Sequence, residues 1–193
     1  MLLFLDSDQV CADLAARQLS CPSCLVGRLA PWAHARPRVV SLLGGRRVEL
    51  TPRRARCMGC RRTHVLLPAW CAPRRAHGVE VIATALGARG HGAGYRVIAE
   101  GLDVAAGTVR GWLRRVGVRV EQLRAAATGQ LYLLDPAAAP LEPTGSGLGD
   151  ALAALAAAVD AALRLLGGGR PGLVWALIGQ LGLARQLAPI RDD

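Results

Sequence analysis

The chain has no lysine, few aromatic residues and no long unbroken apolar run, and each shortage excludes something. With lysine absent, all 24 basic residues are Arg, which reflects a GC-rich genome and also supplies planar guanidinium forks suited to phosphate and guanine. One Phe, two Tyr and four Trp leave little surface for stacking unpaired bases, which argues against single-stranded RNA. Residues 1–5 are apolar but lack a basic flank and stop at Asp6, too short for a signal peptide; they read as a strand or short docking segment. Asp160, Arg164 and the glycines at 167–169 interrupt the apolar tail, so no stretch reaches the roughly 18 to 20 residues of a membrane helix. A cytoplasmic, nucleoid-associated protein is expected, and in a reducing compartment paired cysteines point to metal rather than to disulfides. No Ser/His/Asp or Cys/His grouping has catalytic spacing, so no enzyme is expected.

What is present is Ala, Leu and Val in abundance and a strong basic charge. The 193 residues suffice for one or two small domains with a helical core, and the net charge of +10 suits a polyanionic partner. That charge is concentrated. Residues 17–124 hold twenty arginines against Glu49, Glu80, Glu100, Asp103 and Glu121, whereas residues 1–16 hold three acids and no Arg, and the tail is slightly acidic.

Four of the six cysteines form two C-x2-C pairs, Cys21/Cys24 and Cys57/Cys60, separated by 32 residues. Two residues between thiolates let a tight turn aim both sulfurs at one ion, and two such knuckles complete a tetrahedral shell for Zn2+. With four thiolates and no open position, that zinc is structural. Between the pairs, residues 38–43 and 46–50 read as a hairpin about the Gly44-Gly45 turn, and residues 63–67 as a strand ending at Pro68. A four-cysteine zinc ribbon follows. Cys11 and Cys71 read as small buried hydrophobes, and His64 as a strand histidine with a weaker claim as an alternate ligand.

Beyond Pro73 the apolar period changes from two to 3.6. Val79, Ile82, Ala83 and Leu86 mark a first helix, Tyr95, Ile98, Ala99 and Leu102 a second, and Val109, Trp112, Leu113 and Val116 a third. Residues 95–115 match a helix-turn-helix, with Asp103 at the turn position where glycine is usual and Ala105 where Ser or Thr would cap. Opposite the apolar stripe of the third helix lie Gly107, Arg110, Gly111 and Arg114, with Thr108 and Arg115 on the flanks. This face suits a major groove, and Arg46 and Arg53 are candidate phosphate contacts.

Residues 21–24, 31–38, 53–68 and 108–115 together resemble a largely uncharacterised actinobacterial family of zinc-ribbon plus helix-turn-helix proteins. The layout is similar to the N-terminal DNA-binding part of insertion-element transposases. The resemblance implies zinc-dependent binding to double-stranded DNA and supplies no catalytic residues; Leu25 departs from it, standing where glycine commonly follows the second cysteine. The 69 residues after 124 are too few for a nuclease domain, which excludes a self-contained transposase.

The expected fold class is α+β, mostly α: an N-terminal segment (1–20), zinc ribbon (21–73), trihelical helix-turn-helix domain (74–128), linker (129–149) and C-terminal helical hairpin (150–193). Within the hairpin, Asp150 caps a helix with a Leu152/Leu155/Val159/Leu163 stripe and an Asp160/Arg164 pair, and residues 173–188 form a second apolar helix. So apolar a hairpin must pack on its own helix-turn-helix, on a second copy or on a partner protein. The expected function is a zinc-stabilised DNA-binding regulator or mobile-element accessory factor, the alternative a protein-interaction or RNA-binding module.

Overall fold

The computed structural model describes residues 2–4 and 6–165, in which sheet precedes helix along the chain. The strands are β1 (Leu2–Phe4), β2 (Leu29–His34), β3 (Arg38–Ser41), β4 (Arg47–Leu50), β5 (Arg53–Cys57) and β6 (Thr63–Pro68). A nine-residue helix, α1 (Ser7–Ala15), separates the first two.

The main sheet has the order β1-β6-β5-β2. β5 is antiparallel to both its neighbours, with Leu29 opposite Cys57 and Arg54 opposite Val65. β1 adds a parallel edge, Leu2 opposite Leu66, so residues 2–4 are a strand as their sequence suggests. The hairpin expected between the cysteine pairs also forms, as β3 and β4, and its turn places Gly44 and Gly45 at φ 71° and 74°. Both angles lie in the left-handed region that glycine enters without a Cβ clash. The hairpin is nevertheless a separate two-stranded sheet and does not carry the cysteine pairs. That role falls to β2, β5 and β6, whose patterns are obscured: β2 contains Pro31 beside a register shift and faces solvent, and β5 turns only Ala55 and Cys57 fully inward.

Asp6 caps α1 by accepting from the Asp8 and Gln9 amides, and Val10 and Leu14, one turn apart, pack on Leu29, Ala55 and Leu66. Cys11 borders this cluster. Cys71 is fully buried beside Val40, Leu42 and Leu67, where desolvation outweighs the nearby Arg38 charge and pushes the thiol up to about 11.

Five helices follow: α2 (Val79–Gly90), α3 (Tyr95–Gly101), α4 (Ala106–Gly117), α5 (Val120–Leu134) and α6 (Gly147–Leu165). The first three fall where the apolar period places them, and Ile82, Leu86, Ile98, Ala99, Val109, Trp112 and Val116 are buried together. Asp103 adopts φ 51°, the left-handed conformation expected of it at the turn, and Ala105 provides no side-chain cap.

The structure differs after residue 119. α5 runs to Leu134, into the stretch expected as linker, because Leu123, Ala127 and Leu131 recur every four residues and bury one face. Helix α6 begins at Gly147, and Ser146, not Asp150, acts as its cap by accepting from the Gly149 amide. Asp150 instead closes the preceding loop by accepting from the Thr144 amide and hydroxyl. Arg164 bridges to Asp135 at 3.1 Å rather than to Asp160, since the end of α5 lies alongside. The buried stripe of α6 is also shifted toward alanine, with Ala151, Ala154, Leu155, Ala158 and Val159 turned inward and Leu152 and Leu163 half-buried. Ala151, Ala154 and Leu155 share the core of α2–α5, so this helix packs on the chain's own helical body. The second tail helix, residues 173–188, lies outside the described residues. No described helix is long and apolar enough to cross a membrane.

Candidate metal centre and basic helix face

The first cysteine pair precedes β2, and the second runs from the last residue of β5, Cys57, to Cys60 in the turn before β6, so strand pairing carries the two knuckles together. One sulfur from each of Cys21, Cys24, Cys57 and Cys60 lies within 4.8 Å of every other. Cys21 Sγ is 3.7 Å from Cys60 Sγ, and Cys24 Sγ is 3.7 Å from Cys57 Sγ. A tetrahedral ion with metal–sulfur bonds of about 2.3 Å sets its sulfurs about 3.8 Å apart, and the Cys21/Cys60 and Cys24/Cys57 pairs already lie at that spacing.

The local backbone is built for thiolates. The Ser23 and Gly27 amides point at Cys21 and Cys24 Sγ at 3.4 Å, and the Cys60 amide at Cys57 Sγ at 3.3 Å. Burial opposes ionisation of Cys21, but the Ser23 and Cys24 amides and the Cys57 and Cys60 thiols outweigh it and bring it down to about 6. Cys57 is lowered too, by the Cys60 and Gly59 amides against its own burial. At Cys60 the Arg62 amide favours the thiolate, yet burial and the three neighbouring sulfurs prevail and raise it to about 11. A set of four sulfurs attracts a soft or borderline metal, which takes them as thiolates.

The knuckles are alike in strain. Leu25 and Arg61, each directly after the second cysteine of its pair, both have φ 63°. Leu25 thus keeps the left-handed turn although it is not glycine. Two more residues border the sulfurs: His64, expected as a strand histidine, and Gly27, which the sequence reading missed. His64 is buried on β6 with Nε2 3.4 Å from Cys21 Sγ, close enough to donate to the sulfur from outside the four-thiol set. At Gly27 a Cβ would lie 2.4 Å from Cys57 Sγ, so only glycine fits. The close approach is tertiary, which no local spacing reveals.

The candidate DNA-contacting residues divide into groups. Arg110 and Arg114 are exposed on α4, opposite the buried Val109, Trp112 and Val116. Gly107, Thr108, Gly111 and Arg115 instead line a cleft shared with residues 74–77, the connection leading into α2. Arg46 and Arg53 are exposed on the sheet portion, Arg46 just before β4 and Arg53 at the start of β5. On the same sheet as Arg53 is a contact absent from the sequence reading: the Arg56 guanidinium stacks 4.5 Å over the ring of Trp32, itself exposed on β2.

Fold and site together define a four-cysteine knuckle sheet joined to a helical body with a basic face. Residues 21–112, from the first metal-candidate cysteine to the buried tryptophan of α4, match the family model described as a domain of unknown function (DUF6431). No curated protein and no solved structure matches the chain.

Proposed function

We propose that the protein binds duplex DNA, with zinc at the four-cysteine centre and α3–turn–α4 acting as a helix-turn-helix. The observation that carries this reading is the two-sidedness of α4: Val109, Trp112 and Val116 anchor it while Arg110 and Arg114 project into solvent. The Asp103 turn and the surplus of arginine over residues 17–124 support it further. The all-sulfur donor set and its two 3.7 Å sulfur pairs support zinc, whose part is structural, holding the knuckles rather than activating water. A regulator or a mobile-element accessory factor, working in the nucleoid, accords with these features.

The test is a competition titration of duplexes against variants of the metal-loaded protein. Arg110→Ala and Arg114→Ala should each cost about 1 to 3 kcal/mol on the preferred sequence and relax discrimination there, whereas Arg46→Ala and Arg53→Ala should weaken all duplexes alike. Unchanged sequence preference in both α4 variants refutes recognition by this helix. A second reading, a protein-interaction module, is favoured by the apolar tips of the knuckles, where Leu25, Val26 and Met58 are exposed. It gains if the protein shows no salt-dependent affinity for any duplex.

A further inference from the structure

Residues 74–77 face the first two turns of α4 across a cleft of about 400 Å3, within the range of small-ligand sites. Arg74, Arg75 and Arg115 line it together with His77, Thr108 and Gly111, and among the described residues none that lines it is acidic. Like charges gathered in a concavity repel one another. Burial, and after it the Arg115 charge, makes Arg75 easier to deprotonate than an ordinary arginine.

The arrangement is held in place. Arg38 of β3 donates to the carbonyls of Arg75 and Ala72, the Ser41 amide donates to Ala76 O at 2.7 Å, and the Gly78 amide donates to Ser41 O at 2.8 Å. This hairpin strand therefore fixes one wall of the cleft. Arg74 is kept at φ 57°, a conformation that costs an arginine energy and that accumulates at binding sites. On the other wall, Arg115 lies back across the helix: its Nη1 is 3.1 Å from the position a Cβ on residue 111 would take, a path that Gly111 keeps open. Thr108 adds a hydroxyl, and Gly107 adds a backbone amide from the first turn of α4, which has no side-chain cap at Ala105 and whose Thr108 and Val109 amides donate to Ala105 O.

We infer that this cleft is a phosphate site, in which the guanidinium groups of Arg75 and Arg115 clamp the phosphate oxygens and Thr108 and the first turn of α4 complete the donor set. Guanidinium forks with hydroxyl and amide donors complement a tetrahedral multi-oxygen anion, and a phosphate cancels the repulsion between the two arginines. The phosphate can be a free phosphomonoester or one unit of a nucleic-acid backbone. The inference stands apart from sequence reading by Arg110 and Arg114, which do not line the cleft.

Two measurements on the full-length, metal-loaded protein distinguish the sources, using Arg75→Gln, Arg115→Gln and, as a control far along α2, Arg89→Gln. The first is thermal unfolding in inorganic phosphate against chloride at matched ionic strength. A saturable upward shift in the parent and in Arg89→Gln, lost in the two cleft variants, establishes a site for free phosphate. The second is the salt dependence of binding to a duplex of arbitrary sequence. A logarithmic slope reduced by about one in the cleft variants but not in Arg89→Gln establishes a backbone contact. Far-UV circular dichroism and bound metal check the fold of each variant, and Thr108→Val serves if one arginine variant is unfolded. If the cleft variants match the control in both measurements, the inference is wrong. If the parent binds no duplex yet shows the phosphate shift, the DNA reading fails and the phosphate site stands.

Discussion

Gly27 decides whether the four sulfurs can close around an ion. A methyl group there would sit 2.4 Å from Cys57 Sγ and 3.0 Å from Cys24 Sγ, whereas one on Gly59 would meet only Gly27 Cα at 3.6 Å and Cys57 Sγ at 3.8 Å. Both glycines occupy the knuckles, but only one is sterically committed. Gly27→Ala should therefore lose the metal and Gly59→Ala retain it, as read by elemental analysis of purified protein; equal metal content in the two would refute the argument. His64 acts one shell further out. With Nε2 3.4 Å from Cys21 Sγ, its ring can donate to the sulfur and orient it. His64→Leu should keep the fold and weaken metal binding by about 10- to 100-fold in competition with a chelator, the range found for outer-shell partners.

At the level of elements, α4 is anchored by Trp112, whose ring meets His77 edge-on at 5.1 Å between centroids. Burial holds the His77 imidazole below its ordinary value of about 6.5, so the folded state prefers the neutral ring. The stabilisation from that preference is complete above the unfolded value and is lost as pH falls through the lower folded value. Between pH 7.5 and 5.5, the parent should lose more denaturant resistance than His77→Phe, which keeps an aromatic ring and cannot titrate. Because the thiols are common to both proteins, the difference isolates the imidazole; parallel losses would show that His77 contributes nothing. Helices α2 to α4 were legible because each repeats apolar residues at helical spacing over a buried face. The strands flanking the knuckles were less so: Arg53, Arg54 and Arg56 of β5 mask its inward Ala55 and Cys57, and Pro31 interrupts β2. Helix α5 was hidden because Gly129 and a run of small alanines resemble the linker that follows. The cleft could not be read at all, since residues 74–77 and α4 lie thirty positions apart and meet only in the folded chain.

For the whole molecule, the two halves rest on different forces. The sheet buries a small cluster around Leu14, Leu29, Ala55 and Leu66 in which Cys21 and Cys57 are themselves members. The helical body buries a longer set, from Ile82 and Leu86 through Trp112 to Leu123 and Leu155, that contains no metal-candidate cysteine. Metal binding, of order 10 kcal/mol in zinc-finger peptides, is comparable to the entire stability of a small domain and should dominate in the sheet alone. The halves join where Leu42 packs against Gly78, where a Cβ would lie 2.7 Å from Leu42 Cδ2, and where Arg38 and Ser41 hold residues 72–78. Removing the metal with a strong chelator should thus unfold the sheet while leaving most of the helical circular dichroism. It should also abolish the phosphate-dependent thermal shift, because the hairpin that braces the cleft loses its support while Arg115 and Thr108 remain on an intact α4. Loss of the helical signal in the same transition as the sheet would show that the halves form one cooperative unit. A phosphate shift that survives chelation would show that the wall contributed by residues 74–77 needs no brace from β3.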